Sequence, residues 1–181
     1  MSHETVPTPP NVHDDLVERG MRQWRTERPD IDSSGKAVVG RLLRLEEVIL
    51  QSINGVLQPF GLKYQEYAVL ATLRVAGQPY RLSPSRLQST LLFTSGGLSN
   101  LLKRLEDQGL VRRSTDPKDR RGVLVKLTAK GLRLAEDAMP AHAAAELHLL
   151  RMFDDAQREQ LAGLLSMMMV GNVPELGPEP S

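Results

Sequence analysis

The sequence predicts a mainly α-helical fold carrying one small β-hairpin, and three observations predict it. Apolar residues recur at helical spacing over most of the 181 positions. The alternation expected of half-buried strands appears in two short runs, Val111–Ser114 and Val123–Leu127. Between the long helical stretches lies a strongly basic middle. Residues Arg74 to Arg133 hold thirteen Lys or Arg against four Asp or Glu, whereas the other positions hold ten against eighteen.

Bulk composition sets the outer limits. With 40% hydrophobic and 4% aromatic residues, the chain is long enough for one folded domain with a mainly aliphatic core, plus peripheral helices. The absence of cysteine excludes disulfides, thiolate metal sites and thiol-based oxidant sensing, and it fits a reducing compartment. No apolar run approaches the roughly 20 residues that a bilayer span requires, and the amino end lacks a secretion pattern. A cytoplasmic protein with no membrane attachment is expected.

Residues 1–11 and 171–181 are proline-rich with few apolar anchors and read as disordered tails. Over Val12–Arg28, Leu16, Gly20 or Met21, and Trp24 fall at helical spacing up to Pro29, which predicts an extra amino-terminal helix. Asp32, Ser33 and Ser34 supply capping oxygens to a long helix next. Its apolar residues, among them Val39, Leu43, Leu45, Ile49 and Ile53, cover too wide an arc for a one-sided surface helix. The carboxyl third repeats that pattern from Thr128 through Leu134 to Met168, with Pro140 as a kink point and Asp154 as a restart cap. Two dimerisation segments, residues 12–62 and 129–170, thus bracket a middle region, residues 63–128. One small domain cannot bury both arms, so a second copy of the chain paired about a two-fold axis is the expected partner. The alternative is an intramolecular helical bundle.

The middle region reads element by element. Tyr64–Val75 is a short helix ending at the Gly77, Gln78, Pro79 turn. Ser83 then caps a helix with Pro84 in its first position, where a missing N–H costs nothing. A break before Thr94 leads into a second helix from Thr94 to Glu106, and the pair makes a helix-turn-helix. Leu98, Leu101 or Leu102, and Leu105 form the buried stripe of that second helix, leaving Ser95, Gly96, Ser99, Asn100 and Lys103 outward. Such a small, polar and cationic face suits the major groove of double-stranded DNA. Ser83, Ser85, Arg86 and Thr94 flank it and join the candidate DNA contacts. After Gly109, a helix stop, the two strands enclose a loop carrying Lys118, Asp119, Arg120 and Arg121, a wing able to place a guanidinium in the minor groove. Asp119 is expected to brace that loop before DNA arrives.

These motifs resemble the MarR family of bacterial winged-helix regulators: Ser95 to Glu106, the Asp119, Arg120, Arg121, Gly122 tip, the strand "GVLVKLT" and the following Ala129, Lys130, Gly131. The resemblance covers roughly Leu42 to Met169. It implies a homodimer on a near-palindromic operator, Arg121 in the minor groove, and repression relieved by a small anionic or aromatic ligand. The amino-terminal helix with Trp24 and the segment "YRLSPSRL" are similar to the urate-responsive subgroup. The subgroup pattern has an acidic residue where this chain has Ala68 and an Arg where it has Leu101, while Trp24 and Arg113 match. Trp24, Tyr64, Tyr67 and Arg113 are the candidate ligand contacts, for an effector larger and more apolar than urate. Trp24 is alternatively a packing anchor for the first helix.

A second class of function, a winged-helix DNA-architectural or protein-interaction module without effector, differs by lacking an enclosed cavity lined by those residues. An enzyme is not expected, since no catalytic triad, paired carboxylates or phosphate-cradling loop is legible. No cofactor or metal is predicted: His142 and Glu146 share a helical face but have no further ligands nearby, and read as an ordinary surface pair.

Overall fold

In the computed structural model, residues 15–91, 95–115 and 122–172 are described. Leu42–Glu146 forms one compact unit, and the described residues on either side of it form another. Among the described residues, seven helices and three strands follow in order: α1 Leu16–Glu27, α2 Lys36–Leu57, α3 Tyr64–Val75, β1 Arg81–Leu82, α4 Pro84–Leu91, α5 Ser95–Asp107, β2 Val111–Thr115, β3 Val123–Leu127, α6 Ala129–Leu149 and α7 Asp155–Asn172. A 3-10 turn over Gln58–Phe60 closes α2. Among the same residues, no helix is long and apolar enough to cross a membrane.

The core of the central unit is aliphatic. Leu57, Val69, Leu70, Leu73, Leu87, Leu102, Leu105, Val111 and Val125 are fully buried there. Helix α3 buries Glu66 through Leu70 and Leu73, so it lies inside the unit rather than on one flank. The three strands form one antiparallel sheet in the order β1, β3, β2, with Arg81 opposite Lys126 and Val111 opposite Leu127.

Local chemistry accounts for the joints. Ser83 Oγ accepts the Arg86 N–H at 3.2 Å, with Pro84 at the first position of α4, as the sequence indicates. Gly109 adopts φ +70° and ends α5: its N–H donates to the Glu106 carbonyl at 2.8 Å and the Leu110 N–H to the Leu105 carbonyl at 2.9 Å. A side chain in that left-handed conformation would be strained, which is why glycine stands there. Thr128 caps α6 by accepting the Gly131 N–H at 3.0 Å and donates to the Gly109 carbonyl at 2.7 Å. The N-terminal turn of α6 sits so close to β2 that a Cβ on Gly131 would collide with the backbone of Leu110.

In the other unit, Asp15 caps α1 through the N–H groups of Val17 and Glu18 and pairs with Arg41 at 2.7 Å. Those interactions, the Glu18 N–H first, hold its carboxyl below the usual carboxylate range. Asp154 caps α7 as expected: it accepts the Gln157 N–H at 2.8 Å, and Gln157 returns the bond at 3.1 Å.

Helix α6 includes Pro140 within one helical span, Ala129–Leu149. In the single chain helix α2 is buried only at Ile53 and Leu57, in line with the expectation that one small domain cannot bury this arm. Val38, Val39, Leu43, Leu45, Val48 and Ile49 are exposed along it, as are Leu164, Leu165 and Met167 to Val170 on α7. Two apolar faces thus stand uncovered in one copy. The assignment of His142 to an ordinary surface pair is corrected: the histidine is buried and only Glu146 is exposed. The cause is α3, whose two tyrosines cover the ring.

Candidate nucleic-acid interface

Helix α5 is two-faced. Leu98, Leu101, Leu102 and Leu105 are buried, while Gly96, Ser99, Asn100 and Lys103 are exposed. Apolar packing therefore sets the rotation of the helix and leaves the polar residues to the outside. A Cβ on Gly96 would meet nothing within 4 Å, so no internal contact requires glycine there. Ser83 and Ser85 bring their hydroxyls within 2.9 Å of each other at the start of α4, and Ser85 and Arg86 are exposed. Ser95 is the first residue of α5. Thr94 and the wing residues Lys118, Asp119, Arg120 and Arg121 lie outside the described residues.

Two carboxylates that the sequence does not single out hold α5 in place. Glu66, at the N-terminal turn of α3, keeps only 8% of its side chain exposed; it accepts the Lys63 N–H at 2.9 Å and sits 3.4 Å from the Arg104 guanidinium. Glu106 accepts the Arg113 N–H at 3.0 Å and lies 3.5 Å from the Arg113 guanidinium. A buried carboxylate is informative only when its partner is known, and acidic residues in a first helical turn read as caps.

The candidate ligand contacts separate. Tyr64 and Tyr67 both stack on the His142 ring, at centroid distances of 6.1 and 4.4 Å. The His142 Nδ1 stands 3.4 Å from Glu146, and its Nε2 is buried with no hydrogen-bond partner among the described residues. Burial first, then the Glu146 and Tyr64 charges, pushes the Tyr67 hydroxyl above its ordinary value. Arg113 is committed to Glu106. Trp24, in the flanking unit, is exposed and carries the Lys36 ammonium 4.3 Å above its ring. An open groove of about 740 Å³ is lined by Asn54, Gly55, Gln58, Gly61, Leu62, Lys63, Glu66 and Gln108, and by none of the four candidates. Among the described residues, no group of three metal-ligating side chains gathers.

Comparison with known proteins follows the same lines. A family model described as MarR family matches residues 60–122. The chain is 35% identical over 145 residues to the HTH-type transcriptional regulator PecS of Dickeya dadantii, covering 80% of this chain and 87% of that one. The multiple antibiotic resistance protein MarR of Salmonella typhimurium is 36% identical over 84 residues, 46% of this chain and 56% of its own length. Among solved structures, a mutant MarR from E. coli complexed with operator DNA matches with a TM-score of 0.68 at 27% identity, over 77% of this chain and 99% of that one. The S. aureus MepR–DNA complex matches with a TM-score of 0.68 at 25% identity, over 74% and 98%.

Proposed function

Since the chain belongs to the MarR family of winged-helix transcriptional regulators, we propose that it binds a near-palindromic double-stranded DNA operator as a homodimer and represses transcription until a small aromatic or anionic ligand releases it. The observation that carries this reading is the division of α5 into a buried leucine stripe and an exposed face of Gly96, Ser99, Asn100 and Lys103. Small residues let the helix end descend to the base edges, Asn100 supplies a bidentate donor and acceptor, and Lys103 meets phosphate. Ser83, Ser85, Arg86, Thr94 and Ser95 complete the major-groove contacts. Arg121, braced with Lys118, Asp119 and Arg120, enters the minor groove. The uncovered apolar faces of α2 and α7 supply the dimer contact. The reading assigns the chain to the cytoplasm and gives it no catalytic step.

The effector belongs with Trp24, Tyr64, Tyr67 and Arg113, and one observation favours the second reading, a DNA-binding module without effector. Tyr64 and Tyr67 are engaged by His142, and Arg113 by Glu106, so a ligand must displace internal contacts. The test has two arms. Duplexes selected from a random pool should be bound by a dimer with inverted half-sites about one helical turn apart, as read by footprinting and sedimentation. A thermal-shift screen of aromatic and anionic metabolites should then find a ligand that raises the melting temperature and dissociates the complex. Selection of no common sequence defeats the regulator reading; selection without any active ligand leaves the effector-free module.

A further inference from the structure

The sheet carries a feature that the helix-turn-helix leaves unused. Its register sets Arg81 of β1, Lys126 of β3 and Arg112 of β2 side by side in one row. Directly opposed residues of antiparallel neighbours share a face. The next row places Leu82, Val125 and Arg113 on the other face, where Val125 is fully buried. Strands lie about 4.8 Å apart, so the three cations span about 10 Å, the rise of about three base-pair steps.

Among the described residues, none of these three side chains has a hydrogen-bond or ion-pair partner. In the same unit Arg74, Arg104 and Arg113 each face a carboxylate, from Glu136, Glu66 and Glu106. The row is thus left unneutralised while its neighbours are paired. Like charges directly opposed across strands weaken a sheet, and a bound polyanion would remove that penalty. Strands β2 and β3 also lead from this row into the loop that carries Lys118, Arg120 and Arg121.

We propose that the row of Arg81, Lys126 and Arg112 is a second phosphate-binding surface, which grips the duplex backbone beyond α5 and adds affinity without reading sequence. This rests on the DNA-binding reading above and extends it to the outer face of the sheet.

The test is a salt series on the full chain with two duplexes of equal length and composition, one selected by the wild type from a random pool and one scrambled. In the triple variant R81Q/R112Q/K126Q, the slope of log affinity against log salt should fall by about 0.9 for each phosphate left without its cation, up to about 2.7 per protomer. Both duplexes should weaken by the same factor, and the melting temperature should not drop. The charge-keeping variant R81K/R112K should retain the wild-type slope. An unchanged slope in the triple variant overturns the proposal, as does an equal loss in R81K/R112K or a loss confined to the selected duplex. If the triple variant does not fold, R112Q at the exposed end of the row decides alone, by a slope change of about 0.9 or none. Wild-type protein that binds neither duplex would sink the DNA-binding reading itself, an outcome separate from all of these.

Discussion

Glu106, the penultimate residue of α5, accepts the main-chain N–H of Arg113 at 3.0 Å and stands 3.5 Å from the guanidinium of the same residue. The recognition helix and the first wing strand are thereby joined twice through one carboxylate. Glu106→Ala should lower stability by about 1 kcal/mol, because it strands a main-chain donor as well as breaking the ion pair. Arg113→Ala keeps the main-chain bond and removes only a half-exposed pair, so it should lose clearly less. Urea midpoints of the two variants decide; equal losses would mean the main-chain bond contributes nothing.

Gly96→Ala should separate stability from function. The new methyl meets nothing within 4 Å in the protein, so it should raise stability by up to about 1 kcal/mol. Against DNA the same methyl should lower operator affinity at least tenfold, if this is where α5 approaches the bases. A melting curve and a gel shift on one preparation measure both. Unaltered binding would remove Gly96 from the interface.

Gly131→Ala is expected to be severe, at about 3 kcal/mol or more, because the obstacle is the Leu110 backbone rather than a movable side chain. Gly163→Ala on α7, where a Cβ meets nothing within 4 Å, serves as the control and should be neutral or slightly stabilising. Similar midpoints for the two variants would contradict the close approach of α6 to β2.

His142→Phe preserves the ring stack on Tyr64 and Tyr67 and removes an unpartnered buried nitrogen, so stability should hold or rise. His142→Ala should lose about 2 kcal/mol or more through the space left behind. A large loss in the Phe variant, with Glu146→Gln neutral, would show that Nε2 is bonded in solution.

Tyr67 gives a pH dependence with a definite sign. Its folded value is raised above the ordinary 10.0, so the folded state holds the proton more tightly than the unfolded chain does. The contribution is complete below pH 10 and is lost as pH rises through the raised folded value. Tyr67→Phe should flatten that alkaline decline in denaturant midpoints; an identical decline assigns it to other groups.

Much of the fold is legible where a single residue type dictates local geometry. Ser83 with Pro84, Gly109 and Asp154 mark helix ends in the sequence because caps and left-handed turns admit few residues. The leucine stripe of α5 is legible from its spacing, and with it the outward face. What is not legible depends on pairing between distant segments. Strand β1 has two residues, too few to show a period. Nothing in the sequence singles out Glu66 before Arg104 is placed beside it, and His142 reads as a surface residue until α3 covers it. Arg81, Lys126 and Arg112 become a row only once the strand register is known.

The uncovered apolar faces of α2 and α7 have a consequence for how such a regulator is kept in the cell. A twin that covers these oily faces holds the finished chain in shape by mass action, so endurance rises with the number of copies present. The supply of active molecules then grows faster than linearly with synthesis, and a small drop in expression can silence the switch altogether.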